Sequence, residues 1–196
     1  NNISKFKKKI NLIKCDLNKY NQCVNLVSRS KPDAIFHLAS SADVRRSFDY
    51  PYEIILNNNN CTLNLLEAIR VKKIDPIIQI CSTSEVYGQV EKKNMPIKED
   101  QFIKPINPYA VSKTFQDLLA YNYYLNYNMK IIITRMFTYI NARRINLFAS
   151  HWAYQIAKIE FNQAKYLYHG NLNSSRNIID IDDAMEAYWL AATKGK

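Results

Sequence analysis

The chain has 196 residues, 47% of them hydrophobic, enough for one compact domain, or one and a part, with a real core. No apolar run approaches the roughly 20 residues of a membrane span, and the formal charge of +10 comes from lysines dispersed through an Asn-, Lys- and Ile-rich sequence, which argues against a nucleic-acid patch. Cys15, Cys23, Cys61 and Cys81 lack Cys-x-x-Cys spacing and His37, His151 and His169 are scattered, so no metal site is expected, and buried free thiols fit a reducing, cytoplasmic setting.

Taken in chain order, Asn1-Asn2-Ile3-Ser4 carries no initiator Met and no apolar signal core. Lys5 to Lys9, around Phe6, reads as a solvated edge. Ile10–Lys14 reads as a short strand ending at Cys15-Asp16, and Asn18–Ser30 as an amphipathic helix with Val24, Leu26 and Val27 inward. Lys31-Pro32-Asp33 is a turn before the apolar strand Ala34–Leu38. Asn58–Val71 reads as a helix, with the run Asn57–Asn60 at its N-terminus, where Asn caps well. Asp75-Pro76 introduces a buried strand, Ile77–Cys81. Pro108 precedes a long helix, Tyr109–Asn128, at a position that favours Pro. Ile131–Thr134 is a third apolar strand, and Phe148–Phe161 and Asp182–Thr193 read as helices.

Strands that are near-continuous apolar runs, alternating with helices, predict a parallel sheet covered on both faces. In such a sheet function gathers at the carboxyl ends of the strands. Asp16, His37 to Ser40, Ser82-Thr83 and Arg135 to Phe137 all follow predicted strands. The only glycines are Gly88, Gly170 and Gly195, so the chain contains no Gly-x-Gly-x-x-Gly phosphate loop, and it reads as starting at a third strand.

The chemistry concentrates in Ser82-Thr83-Ser84-Glu85-Val86-Tyr87-Gly88 and Pro108-Tyr109-Ala110-Val111-Ser112-Lys113. Tyr109 and Lys113 share a helix face. A phenol with a pKa of about 10 is a poor base at neutral pH, and a lysine ammonium beside it favours the phenolate. Glu85 could equally be a solvated residue, Arg143 and Arg144 solvated charges, and Thr83 a strand-end cap. His37 is read as a packed histidine without a catalytic role. Tyr121, Tyr123, Tyr124 and Tyr127 read as helix-face packing, within the chain or against a partner subunit.

These motifs resemble the extended short-chain dehydrogenase/reductases, the sugar-nucleotide epimerases and dehydratases. Phe36-His37-Leu38-Ala39, Asn58-x-x-Cys61-Thr62 and Arg176-Asn177-Ile178-Ile179-Asp180-Ile181-Asp182-Asp183 are similar to further family segments in the same order. The sequence departs from the family pattern at Cys61, Thr138, Ala142 and Asn177. The resemblance implies an α/β, Rossmann-like doubly wound sheet, N-terminally truncated. Residues 1–140 would form a partial dinucleotide-binding domain, and 141–196 part of a small substrate-binding region. It implies NADP, with NAD possible, as cofactor, bound by Asp16, Leu38, Ala39, Ser40, Asn58, Tyr109 and Lys113. It implies Thr83, Glu85, Tyr109 and Lys113 as catalytic residues, and Ser84, Asn141, Arg143 and Arg176 as substrate ligands, with Arg176 on the nucleotide diphosphate. Glu85 narrows the reaction, because a 4,6-dehydratase needs a carboxylate to take the C5 proton. The Thr83-Ser84-Glu85 order is similar to that of the GDP-mannose 4,6-dehydratases, which implies GDP-mannose as substrate and a homodimer or homotetramer. A 4-reductase, an epimerase, or a non-catalytic nucleotide-sugar or dinucleotide-binding module remains open.

Overall fold

The computed structural model describes residues 3–6, 8–144 and 147–195, so Asn1, Asn2 and Lys7 of the basic N-terminal stretch lie outside the described residues. The chain divides into two compact units, Asn1–Thr134 and Arg135–Lys196, where the sequence reading sets the break after Ile140.

The first unit runs α1 (Tyr20–Ser30), β1 (Ala34–His37), α2 (Val44–Asp49), α3 (Pro51–Lys72), β2 (Ile77–Cys81), α4 (Pro108–Tyr127) and β3 (Ile131–Thr134). The strands pair in the order β1-β2-β3, all parallel, with Ala34 opposite Ile77 and Ile78 opposite Ile131. Parallel neighbours need a crossover, and α3 and α4 supply it between successive strands. Because side chains alternate along a strand, Ile78 and Ile80 share a face, and they bury against Cys23 and Val27 of α1, Leu65, Leu66 and Ile69 of α3, and Ala120 and Tyr123 of α4. On the opposite face Gln79 is fully buried as well, its amide donating to the Thr134 hydroxyl.

With so few glycines, three helices end on residues that pay for a left-handed backbone. Lys31 after α1 (φ 40°), Lys73 after α3 (φ 52°) and Asn128 after α4 (φ 53°) occupy positions that Gly usually fills.

Three expectations need correction. Ile10–Lys14 makes no strand; it has no ladder partner among the described residues, and Leu12 is 76% exposed. The helix expected from Asn58 begins at Pro51, seven positions earlier in the sequence. The Asn run therefore sits inside the helix, where tertiary hydrogen bonds override its preference for caps. Between β1 and α3, a short helix capped by Asp43, whose carboxylate accepts from Arg46 N, was not anticipated.

The second unit contains β4 (Thr138–Ile140), α5 (Phe148–Glu160), β5 (Ile178–Asp180) and α6 (Ile181–Lys194). The strands β4 and β5, absent from the sequence reading, pair in parallel with Thr138 opposite Ile178. Asp180 caps α6 by accepting from Asp182 N, and Asp182 and Asp183 suit the positive end of its dipole. The Gln155 side chain brackets the backbone of Tyr168, donating to its carbonyl (2.9 Å) and accepting from its N–H (2.7 Å).

Candidate active site

The carboxyl end of β2 organises the first unit's polar residues. Beyond Cys81 the chain turns into a 3-10 helix, Ser84–Tyr87, with Thr83 as its N-cap and the Thr83 hydroxyl accepting from Glu85 N. Gly88 ends that helix at φ 64°, ψ −139°. A Cβ there would lie 1.9 Å from the Lys104 carbonyl oxygen, so only glycine lets the two backbones approach. The Glu85 carboxylate accepts at Oε2 from the Asn107 side-chain amide, 3.1 Å away. Asn107 Oδ1 in turn caps α4 by accepting from Ala110 N at 2.7 Å.

Tyr109 and Lys113 lie one turn apart on α4, both buried. Lys113 Nζ donates to the Cys81 carbonyl at 2.7 Å, which ties the helix to the last residue of β2. One turn further, the buried Asp117 accepts from the Ser82 hydroxyl at 2.9 Å. The four expected catalytic residues, Thr83, Glu85, Tyr109 and Lys113, thus converge on the turn after β2 and the helix stitched to it. Ser84 opens the 3-10 helix beside them.

Burial sets the electrostatics. It draws the Lys113 ammonium below the ordinary lysine range, with Cys81 opposing the shift. Burial, and then the nearby Lys113 charge, lower His37 to about 4, so its imidazole is neutral at physiological pH. His37 Nε2 lies 2.8 Å from the Thr62 hydroxyl, in the buried layer between α3 and α4. Gln116 donates to Thr62 and to the Asn58 carbonyl in the same layer.

The expected cofactor residues divide into two kinds. Leu38, Ala39 and Ser40 follow β1; Leu38 and Ala39 are exposed and Ser40 half-buried. Asn58 is fully buried behind that loop. It accepts from Ser41 N (2.6 Å) and the Asn57 amide (3.1 Å), and donates to Ser41 O (3.2 Å) and Ser112 Oγ (2.9 Å). Those bonds fill the two donors and two acceptor sites of a primary amide, so Asn58 holds the loop in place. Asp16 is exposed and its carboxylate accepts from Asn18 N at 3.1 Å. Asn18 and Asn57 link this turn to the network around Ser41.

The substrate residues of the second unit do not gather at one point of its ladder. Asn141 follows β4, accepting from Arg143 N in a tight turn, whereas Arg176 precedes β5. Because the strands run parallel and in register, these residues leave the ladder at opposite ends. Arg143 and Arg176 are both exposed.

Asn107, Ser112, Gln116 and Asp117 are absent from the sequence-based set. Asn107 had a readable signal, an Asn directly before a helix-starting Pro. The other three lie at helical spacing with Tyr109 and Lys113, but their partners come from distant segments. Among the described residues, no group of three or more His, Cys, Asp or Glu could hold a metal ion, and no helix is long and apolar enough to cross a membrane.

The whole chain, residues 1–196, matches the family model described as GDP-mannose 4,6 dehydratase. A GDP-6-deoxy-D-mannose reductase from Pseudomonas aeruginosa is 32% identical over 167 residues, covering 84% of this chain and 55% of the relative. A GDP-mannose 4,6-dehydratase from Yersinia enterocolitica is 30% identical over 178 residues, covering 89% and 47%. The structure of RMD from Pseudomonas aeruginosa complexed with NADPH superposes with a TM-score of 0.88 at 28% identity, covering 94% of this chain and 62% of that one. The chain therefore spans about half the length of these curated relatives.

Proposed function

The chain belongs to the GDP-mannose 4,6-dehydratase family, and we propose that it carries the catalytic half of a nucleotide-sugar 4,6-dehydratase acting on GDP-mannose. The single observation behind this reading is the carboxylate of Glu85, held by the Asn107 amide on the turn before the Tyr109 helix, with the Glu85 backbone N–H held by the Thr83 hydroxyl.

Tyr109, with the Lys113 ammonium one turn away, takes the proton from the sugar's C4 hydroxyl, and Thr83 hydrogen-bonds the same oxygen. A nicotinamide dinucleotide, NADP or NAD, would when bound supply the hydride chemistry at C4 and C6. The donor chemistry of this end of the sheet fits such a group in part. The Lys113 ammonium has three N–H donors and uses one on Cys81 O, leaving two for vicinal ribose hydroxyls. The loop Leu38–Ser41, tied at Ser41 to Asn58, follows His37, whose ring feels the Lys113 charge. Glu85 takes the C5 proton, now acidified by the ketone, and passes it to the C6 hydroxyl, which departs as water; when hydride is added at C6, C5 takes a proton from solvent, balancing the one released through Tyr109. Ser84 is proposed as a contact to the sugar, and Asn141, Arg143 and Arg176 to the nucleotide, with Arg176 on the diphosphate.

The protein is proposed to work as a homodimer or homotetramer in a reducing, cytoplasmic setting, which suits its free thiols at Cys15, Cys23, Cys61 and Cys81. Full-length protein given GDP-mannose should release a 4-keto-6-deoxy sugar nucleotide with no net consumption of cofactor. Absence of that product would contradict the reading.

A second reading draws on the similarity to the Pseudomonas reductase. A 4-reductase would use Tyr109 as the proton donor to a ketone. Stoichiometric oxidation of NADPH in the presence of a 4-keto-6-deoxy sugar nucleotide would favour it.

A further inference from the structure

Glu85 and the Tyr109 helix are joined through one side chain. Asn107 is 93% buried, since 7% of it is exposed, and its amide points two ways. Its oxygen accepts from Ala110 N and so starts the first turn of α4, two residues before Tyr109 reaches the site. Its N–H donates to Oε2 of Glu85, twenty-two residues away in sequence, at 3.1 Å. Asp or Ser would cap the helix equally well. Neither reproduces an amide that is anchored through its oxygen and donates through its nitrogen, because a carboxylate donates nothing and a hydroxyl is too short to span both partners. The second function of Asn107 is therefore specific to the carboxamide.

We propose that Asn107 is a positioning residue for the elimination step: its amide occupies Oε2 of Glu85, so that Oε1 is the oxygen that takes and returns the substrate proton. The inference rests on the dehydratase reading of Glu85. A carboxylate free to rotate offers either oxygen in several orientations. With Oε2 held by Asn107 and the Glu85 backbone N–H held by the Thr83 hydroxyl, both ends of the residue are fixed. The bond balance is simple: the C5–H bond breaks as an O–H bond forms at Oε1, and Oε2 becomes the carbonyl-like oxygen of the acid, still accepting from Asn107. The same proton then leaves Oε1 for the departing C6 hydroxyl. Misplacing a proton acceptor by about 1 Å can cost about a hundredfold in rate, so loss of this tether is expected to act on kcat.

The test uses full-length Asn107→Ser and Asn107→Asp proteins beside Glu85→Gln. Both Asn107 variants retain a capping oxygen; the melting temperature of Asn107→Ser should stay near that of the unaltered protein, whereas Asn107→Asp, which buries a second carboxylate against Glu85, should melt lower. Their kcat for GDP-mannose should fall about tenfold to a hundredfold with KM unchanged. In a single turnover, reduced cofactor should accumulate, because C4 oxidation, for which Tyr109 takes the hydroxyl proton, proceeds while elimination lags. Asn107→Asp should be the slower of the two, since it sets a second negative charge against Glu85. Unchanged kcat in both variants would overturn the inference. So would a fall in kcat without accumulated reduced cofactor, which would place the effect on the Tyr109 helix alone. Glu85→Gln separates the two levels of the argument. If that variant loses turnover while the Asn107 variants keep it, only the role of Asn107 is wrong. If Glu85→Gln itself keeps turnover, the dehydratase reading falls and the inference with it.

Discussion

Each proposed catalytic side chain carries a distinct expectation. Tyr109→Phe removes the proton acceptor at C4 and should lower kcat about a hundredfold to ten-thousandfold, with no reduced cofactor appearing in a single turnover. Glu85→Gln should block later, leaving C4 oxidation intact and allowing reduced cofactor to build up. His37 has a different kind of consequence. Its folded-state value of about 4 lies below the ordinary 6.5, so between those values the unfolded chain binds more protons than the folded one. Its contribution to stability is therefore complete above pH 6.5 and is lost as pH falls toward 4, a change on the order of 3 kcal/mol. Denaturation midpoints between pH 7 and 4 should fall more steeply for the unaltered protein than for His37→Gln, which cannot titrate. Equal slopes would show that the ring is not held neutral by burial.

At the scale of elements, the helix ends and the Glu85 turn make separable predictions. Lys31, Lys73 and Asn128 hold left-handed backbones that cost about 1–2 kcal/mol for an L-residue. Glycine removes that cost but adds freedom to the unfolded chain. Lys31→Gly and Lys73→Gly should each therefore raise stability by about 0.5–1 kcal/mol in chemical denaturation. Gly88→Ala should act in the opposite sense, since its Cβ would meet the Lys104 carbonyl at 1.9 Å, and it should depress both the melting temperature and turnover by displacing Glu85.

The elements also show what the sequence could disclose. The Ile-rich runs that became β2 and β3, and the Pro108 start of α4, were legible because periodicity and a helix-start signal act locally. Placing Thr83, Glu85, Tyr109 and Lys113 together was legible as well, since two motifs bracket one strand end and one helix start. The early start of α3 at Pro51 was not, because Asn57 and Asn58 are held by Ser41 and Ser112, partners far away in sequence. Nor were β4 and β5, three-residue strands whose identity depends wholly on each other. Ile10–Lys14 failed for the converse reason: its apolar pattern is right, but a strand exists only when another lies beside it.

At the scale of the whole molecule, α4 presents Val111, Phe115, Leu118 and Leu125 to solvent at spacings of four, three and seven residues, the pattern of a helix seam. Tyr121 and Tyr124 stack beside them, with ring centroids 6.3 Å apart. The proposed homodimer would bury this face, so Leu118→Glu should shift the full-length protein to monomer in sedimentation velocity. An unaltered sedimentation coefficient in a dimeric protein would remove the face from the interface. The family assignment spans the entire chain, but the reaction depends on which steps follow the first hydride transfer, and that can be read from a single label. Full-length protein should convert GDP-mannose carrying deuterium at C4 into GDP-4-keto-6-deoxymannose with the deuterium at C6 and no net change in reduced cofactor. No product from GDP-, dTDP- or UDP-hexoses, or deuterium retained at C4, would contradict the dehydratase assignment.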